Sequence, residues 1–300
     1  MHWYSNTTLI RSLEYIDKMT SKWLFKNSSF VVEKLVTSYS NEEEFQNSLK
    51  SIGELILLEL ICDSNSWNYS INLHKKFDPQ FSSIKKVVEN SIPTLNSTYQ
   101  LFFTNYFSHT LNIKNKTKLD TFEDILEFSS FNIILNGHDL HATHFLSLWK
   151  LSKLSRYENV SLLNNFERYQ ITHDFFYLTN FGIVEPLKTQ KSILIQNASY
   201  FEHVIKDGLI ISFRENNVDL LAEFFLDWLL LNKYYKFNSN SLSDETIKII
   251  MKRFTSFLRT EKHKLNKFNY TIENFYNSYH TVIVIAMVGA ILNELTRKKD

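Results

Sequence analysis

Residues 41–62 read NEEEFQNSLKSIGELILLELIC, and this stretch decides the class of the fold. The side-chain oxygen of Asn41 suits a helix N-cap, and Glu42, Glu43 and Glu44 place negative charge at the positive end of the helix dipole. Behind them Phe45, Leu49, Ile52 and Ile56 recur at alternating spacings of four and three, one stripe of a 3.6-residue helix. The apolar run Leu55–Cys62 carries the helix into a core, and Asp63–Tyr69 is a polar break.

The same period extends outward in both directions. Upstream, Leu9–Leu24 places Leu9, Leu13, Ile16 and Met19 or Trp23 on one face. Downstream, helices are expected over Ser82–Asn90, before Pro93, and over Leu95–Leu111, where length decides against a strand. The next starts at Asp120 or Thr121 and runs through Leu135, with Glu123 and Asp124 in its first turn and Asn136-Gly137 as its stop. Asp139 precedes a helix through Leu154. Asn159–Phe181 holds one or two more, closed by Gly182 and Pro186. The remaining helices are Thr189–Lys206, ended by Asp207-Gly208; Asn217–Tyr235; Ser243–Thr260, with a capped start at Ser243-Asp244-Glu245-Thr246; and Ile272–Thr296.

Composition agrees. Only 5 Gly and 3 Pro serve 300 residues, too few for the turns of a β-rich chain, and 44% of the residues are apolar. Helices recur every ~20 to 25 residues with short connectors, as in helical hairpins. No tetratricopeptide pattern is present. The polar stretch 112–118 is a loop, and no linker divides the chain. The expectation is an all-α, single multi-helix domain over residues 1–300, either an α/α toroid or an irregular array of helical hairpins, with the ring preferred.

Charge and cysteine usage exclude several classes. With 33 basic and 32 acidic residues the net charge is +1, which gives no footprint for nucleic acid. Lys262, Lys264 and Lys267 read as a solvated helix end. One cysteine, Cys62, allows no internal disulfide and no cysteine-rich zinc site, and it reads as buried filler. The N-terminus shows no signal peptide, and the Asn-x-Ser/Thr triplets follow from an asparagine-rich composition. The longest apolar run, Val282–Leu292, is shorter than a membrane span of about 20 residues and reads as a core helix. A cytoplasmic protein without a membrane partner is expected. Glycine-rich nucleotide loops, the Gly-x-Ser-x-Gly elbow, kinase signatures and Asp-rich prenyl-diphosphate motifs are all missing.

Four clusters could carry chemistry. In Thr172–Gly182, His173 and Tyr177 lie four apart on one helix face, an imidazole beside a phenol, while Asp174 is turned about 100° away. Asp219 and Glu223 share a face among apolar neighbours, a pair that can bind a metal, divide acid and base roles, or form salt bridges. His138, His141 and His144 recur every three residues; His141 and His144 could share a divalent metal, although the usual i, i+4 pair with a glutamate is absent. His280 precedes Val282–Leu292, with Tyr276 one turn earlier. Each cluster has a plainer structural reading. Their shared position at the polar edges of apolar helices is what suggests one central pocket.

The blocks Thr172-His173-x-x-Phe176-Tyr177-Leu178-Thr179-Asn180-Phe181-Gly182, Asp219-Leu220-Leu221-Ala222-Glu223 and Tyr279-His280-Thr281 resemble those of an uncharacterised bacterial domain-of-unknown-function family, of about this length and common in actinomycetes. The resemblance covers the C-terminal half well and the N-terminal half poorly. It implies a shared fold and site but brings no established activity. Asn180 stands where the family has Asp, so a chemistry needing that acid would not carry over.

The functional expectation is an enzyme acting on a small molecule or peptide in bacterial secondary metabolism. His173, Asp219, Glu223 and His280 are the expected catalytic residues, and Tyr177, His141, His144 and Asp174 the expected substrate-binding ones. The rival expectation is a non-catalytic helical peptide-binding or scaffold protein.

Overall fold

Twelve consecutive residues, Leu220 to Leu231, are buried on every side of one helix, α8 (Val218–Tyr234). A helix apolar all round belongs at the centre of a core rather than on its surface. Its start is fixed by Asn217, whose side chain accepts the Leu220 amide at 3.1 Å, and by Asp219 in the first turn. The second central helix is α11 (Tyr279–Arg297), buried from Thr281 through Leu292.

In the computed structural model, residues 7–37, 42–65, 67, 122–136, 142–235, 242–265 and 272–297 are described. Among them every regular element is helical. The remaining helices are α1 (Thr7–Thr37), α2 (Glu42–Ser64), α3 (Phe122–Asn136), α4 (Ala142–Trp149), α5 (Asn165–Leu178), α6 (Lys188–Gln196), α7 (Ala198–Arg214), α9 (Asp244–Leu265) and α10 (Ile272–Tyr276). Short 3₁₀ turns occupy Leu154–Arg156, Val160–Leu162 and Asn180–Gly182. Helix α8 packs against α7, α11, α5 and α9, and α11 also packs against α1 and α2. One hydrophobic cluster runs through all of them, from Leu9 to Leu292. The segment Asn274–Arg297 is long and apolar enough to cross a membrane, yet 83% of its most apolar window is buried by other helices, as in a core helix.

The expected helices at Ser82–Asn90 and Leu95–Leu111, and the loop 112–118, lie outside the described residues, as does the Asn41 cap. Elsewhere five expectations shift, two of them only in length: the helix read over Leu9–Leu24 runs from Thr7 to Thr37, and the one read over Ser243–Thr260 runs on to Leu265. The helix expected from Asp139 to Leu154 ends at Trp149 and is followed by a 3₁₀ turn. The last helix breaks between Tyr276 and Tyr279, leaving α10 and α11. The helix expected over Thr189–Lys206 is broken at Asn197, and its second half continues through Asp207-Gly208 to Arg214.

Gly208 is therefore no stop signal; it is where α7 meets α8. A Cβ built on Gly208 would lie 2.4 Å from the Phe224 ring, which is fully buried. The missing side chain lets the ring lie against the α7 backbone. Alanine at a helical glycine gains about 1 kcal/mol of propensity, but forcing a methyl into a packed ring costs about 1–3 kcal/mol. Gly208→Ala should thus lower the melting temperature by a few degrees in a thermal unfolding experiment. A raised melting temperature would show that the α7–α8 contact yields easily.

Candidate active site

Helix α5 begins with a capping box: the Asn164 side chain accepts the Glu167 amide, and Glu167 accepts the Asn164 amide, both at 3.0 Å. From this start, Tyr169, Thr172 and His173 fall on the side of α5 that faces α8. On α8, Asp219 and Glu223 are one turn apart and face both α5 and α11. The outcome is two rungs. In the outer one, Asp219 accepts Tyr169 Oη at 2.7 Å and Thr281 Oγ1 at 2.6 Å. In the inner one, Glu223 Oε2 accepts the Thr172 hydroxyl, and Glu223 Oε1 lies 2.8 Å from His280 Nε2 and 3.6 Å from His173 Nε2.

His280 is gripped from its other side. Its Nδ1 lies 3.1 Å from Glu54 Oε2 on α2. The cluster therefore joins four helices, with side chains drawn from positions 54, 173, 223 and 280. One ligand-capable atom from each of His173, Glu223 and His280 lies within 4.8 Å of the other two.

Burial and charge compete here. Burial pushes the Glu223 carboxyl up, but His173 and His280 outweigh it and hold the group down at about 2. Burial likewise raises Glu54, and His280 pulls it below the usual carboxylate range. Burial lowers His280, and Glu54 and Glu223 together lift it well above the ordinary histidine value. At neutral pH the inner rung is an imidazolium between two carboxylates. Tyr169 and Tyr177 are both driven up, first by burial and then by Asp219 and Glu127 respectively, so both stay phenols that donate hydrogen bonds.

The histidines open onto a cleft of about 40 Å³, enough for a few waters. Glu54, Glu127, His173 and His280 supply its polar lining; Phe176, Tyr177, Phe181, Ile283, Val284 and Met287 are among the rest. A larger cleft of about 220 Å³, bordered by Trp149, Lys150, Tyr157, Asn197 and Phe201, contains no histidine or carboxylate and stands apart from this chemistry.

The structure thus brings together His173, Glu223 and His280, with Asp219 one turn away. Tyr177 lines the cleft, its ring 6.2 Å from that of His173, but its hydroxyl donates to Glu127 at 3.2 Å. Asp174 is not brought in. Adjacent residues on a helix diverge by about 100°, so with His173 towards the cleft Asp174 faces away. It is buried, and its carboxylate accepts the Leu154 amide at 2.9 Å. His141 lies outside the described residues, and of His144 only its place in α4 is described.

Asn180 acquires a structural role. Its amide donates to Gln190 Oε1 at 3.3 Å and accepts from Gln190 Nε2 at 3.0 Å, and Gln190 also bonds the Tyr177 carbonyl and the Leu187 amide. An amide returns both bonds, whereas an ionised carboxylate would face the Gln190 oxygen. This pair holds a turn in which Asn180, Phe181 and Gly182 all have positive φ, and Lys233 fastens it by bonding the Gly182 carbonyl at 2.9 Å and Glu294 at 2.8 Å.

Glu54, Thr172, Glu127 and Asp227 were not among the expected site residues. Glu54 had one signal, an acid entering the apolar run of α2. Thr172 and Thr281 sit inside the quoted motif blocks, beside the histidines they support.

The comparisons with known proteins add one finding. A family model described as a domain of unknown function (DUF6895) matches residues 135–290, a span that holds His173, Glu223 and His280 and leaves out Glu54. No curated protein and no solved structure matches the chain.

Asp227, one turn beyond Glu223, is fully buried and neither of its oxygens has a hydrogen-bond partner. Burial first, then Glu223 and Asp174, raises its carboxyl well above 3.8. An acid raised on folding costs nothing below its unfolded value, where both states are protonated. As pH climbs above that value the unfolded chain releases a proton that the native chain retains, and stability falls by about 1.4 kcal/mol per pH unit until the folded value is reached. Asp227→Asn should match the wild type near pH 4 and exceed it by ~1 kcal/mol or more at pH 7 in urea unfolding. A difference independent of pH would contradict the protonated state.

Proposed function

We propose, for a chain that belongs to the DUF6895 family of unknown function, that it is an enzyme acting on a small molecule or peptide, with the reacting group held against His173, Glu223 and His280. The observation that carries this is the convergence itself. Two buried carboxylates and two imidazoles from four helices meet beside one cleft, although a core of this size would be at least as stable with apolar residues there. Ionisable groups kept in such surroundings, with shifted protonation, cluster at catalytic centres.

The roles follow from the geometry. His280 and Glu223 move or hold a proton along a 2.8 Å contact, with Thr172 fixing the carboxylate. His173, with a side chain 35% exposed, is the member that a substrate meets first. Phe176, Phe181 and Met287 form the apolar wall beside the reacting group, and Asp219 braces the first turn of α11 through Thr281. The near-neutral charge and the buried α11 fit a cytoplasmic protein whose partner is neither nucleic acid nor membrane. A role in bacterial secondary metabolism rests on the resemblance of the motif blocks alone.

The second reading, a helical peptide-binding or scaffold protein, draws on Leu162 and Phe166, which are 82% and 71% exposed on neighbouring turns. It gives no reason for the buried cluster, so the catalytic reading is preferred.

The test is a panel of small esters, amides and dipeptides assayed with the full chain. For any substrate turned over, His173→Ala and His280→Ala should each lower kcat/KM by ~100-fold or more, with far-UV circular dichroism unchanged. Folded variants that keep wild-type turnover would sink the proposal.

A further inference from the structure

We infer that His173 Nε2, Glu223 Oε1 and His280 Nε2 are the ligands of one divalent first-row transition-metal ion of the zinc class, and that Glu54 is a positioning residue for it. This rests on the catalytic reading above and on the same cleft, and it puts an ion where that reading has the His280–Glu223 proton.

The donor geometry comes first. In a tetrahedral centre with bonds of about 2.0–2.2 Å, neighbouring donor atoms are roughly 3.4 Å apart. Here Glu223 Oε1 is 2.8 Å from one histidine nitrogen and 3.6 Å from the other, and no pair exceeds 4.8 Å. Side-chain shifts of under ~1 Å would complete the triangle. The donor set, two imidazoles and one carboxylate, is that of catalytic zinc and of non-haem iron sites.

Each donor is also aimed. Glu54 takes the Nδ1 side of His280, which leaves Nε2 directed at the site; carboxylate–histidine–metal chains use this arrangement to fix the ring and its tautomer. Thr172 occupies Glu223 Oε2, so the carboxylate presents Oε1 alone. His173 is held among the rings of Tyr169, Phe176 and Tyr177, at centroid separations of 6.4, 6.0 and 6.2 Å. Charge agrees with this, since one dication balances the Glu54 and Glu223 carboxylates without a charge on either imidazole. The ion displaces the proton shared by His280 and Glu223, and that proton leaves to solvent.

Three protein ligands leave a coordination position unfilled, and the two histidines that flank it line the cleft. This is the pattern of a catalytic site rather than a closed structural one. Such an ion would polarise a carbonyl or lower the pKa of a bound water, so the substrate class narrows to esters, amides and related carbonyl compounds.

The experiment uses the full chain, purified without a histidine tag and stripped with chelator. Zn²⁺ and Co²⁺ are titrated by calorimetry, with bound metal counted by mass spectrometry. We expect one ion per chain, a visible Co²⁺ spectrum of low coordination number, and a metal-dependent rise in melting temperature. His173→Gln and His280→Gln should each weaken binding by ~100-fold or more, whereas Glu54→Gln should keep the stoichiometry and weaken binding by about 10- to 100-fold. The variant His203→Ala, at an exposed histidine of α7, should bind as the wild type does. Absence of binding, binding unchanged in His173→Gln, or binding lost in His203→Ala each overturns the metal site. The partly exposed His173 makes its glutamine variant the safer one to fold. If no ion binds and His173→Gln still abolishes turnover, the metal fails and the catalytic cleft stands. If an ion binds and no substrate is turned over with or without it, the metal site stands and the catalytic reading fails.

Discussion

The carboxylate of Glu223 is the constraint on which the rest depends. It is fully buried on a helix whose other faces are packed in hydrocarbon, where an unpaired charge costs several kcal/mol. It is tolerated because α5 delivers Thr172 and His173 and α11 delivers His280 to the same atoms. His280 in turn requires α2, through Glu54. One buried group thus ties together side chains from four helices. Breaking one partner would strand charge in the core, so the helices are coupled through chemistry as well as through area.

Most of the class of the fold was legible because helical periodicity and scarce glycine act locally. Residues 42–62 and the α8 sequence read correctly for that reason. Boundaries were less legible where a tertiary contact overrides local preference. Asp207-Gly208 has the composition of a helix end, but Gly208 serves a close approach by Phe224, a residue that local sequence cannot bring into view. Asn197 breaks the preceding segment, where its side chain bonds the Ile193 carbonyl at 2.9 Å and competes with the backbone.

The candidate site was half legible, along the same line. Spacing of four placed His173 with Tyr177 and Asp219 with Glu223 on common faces, and those faces do point to one region. Spacing says nothing about which helix lies opposite. Tyr177 shares a face with His173 yet gives its hydroxyl to Glu127. Glu54, the far anchor of His280, sits in a stretch read purely as core, where a lone acid looks like an interruption until its partner, 226 positions away, is known. Asn180 was read against a catalytic acid, and its function emerged only with Gln190 beside it.

Helix α8 makes the logic plain by carrying three carboxylates on one stripe, Asp219, Glu223 and Asp227, each one turn from the next. Local sequence treats them alike. Asp219, half-buried, is met by two hydroxyls; Glu223 is met by two imidazoles and a hydroxyl; Asp227 is met by no hydrogen-bond donor. Their protonation diverges accordingly, with Glu223 held at about 2 and Asp227 pushed up by burial and by Glu223 itself. Had the purpose of the stripe been stability, the cheapest arrangement would have been apolar at all three positions. The best-compensated carboxylate is instead the one where the histidines reach the cleft. That selective compensation singles out Glu223 as the residue around which the cluster is arranged.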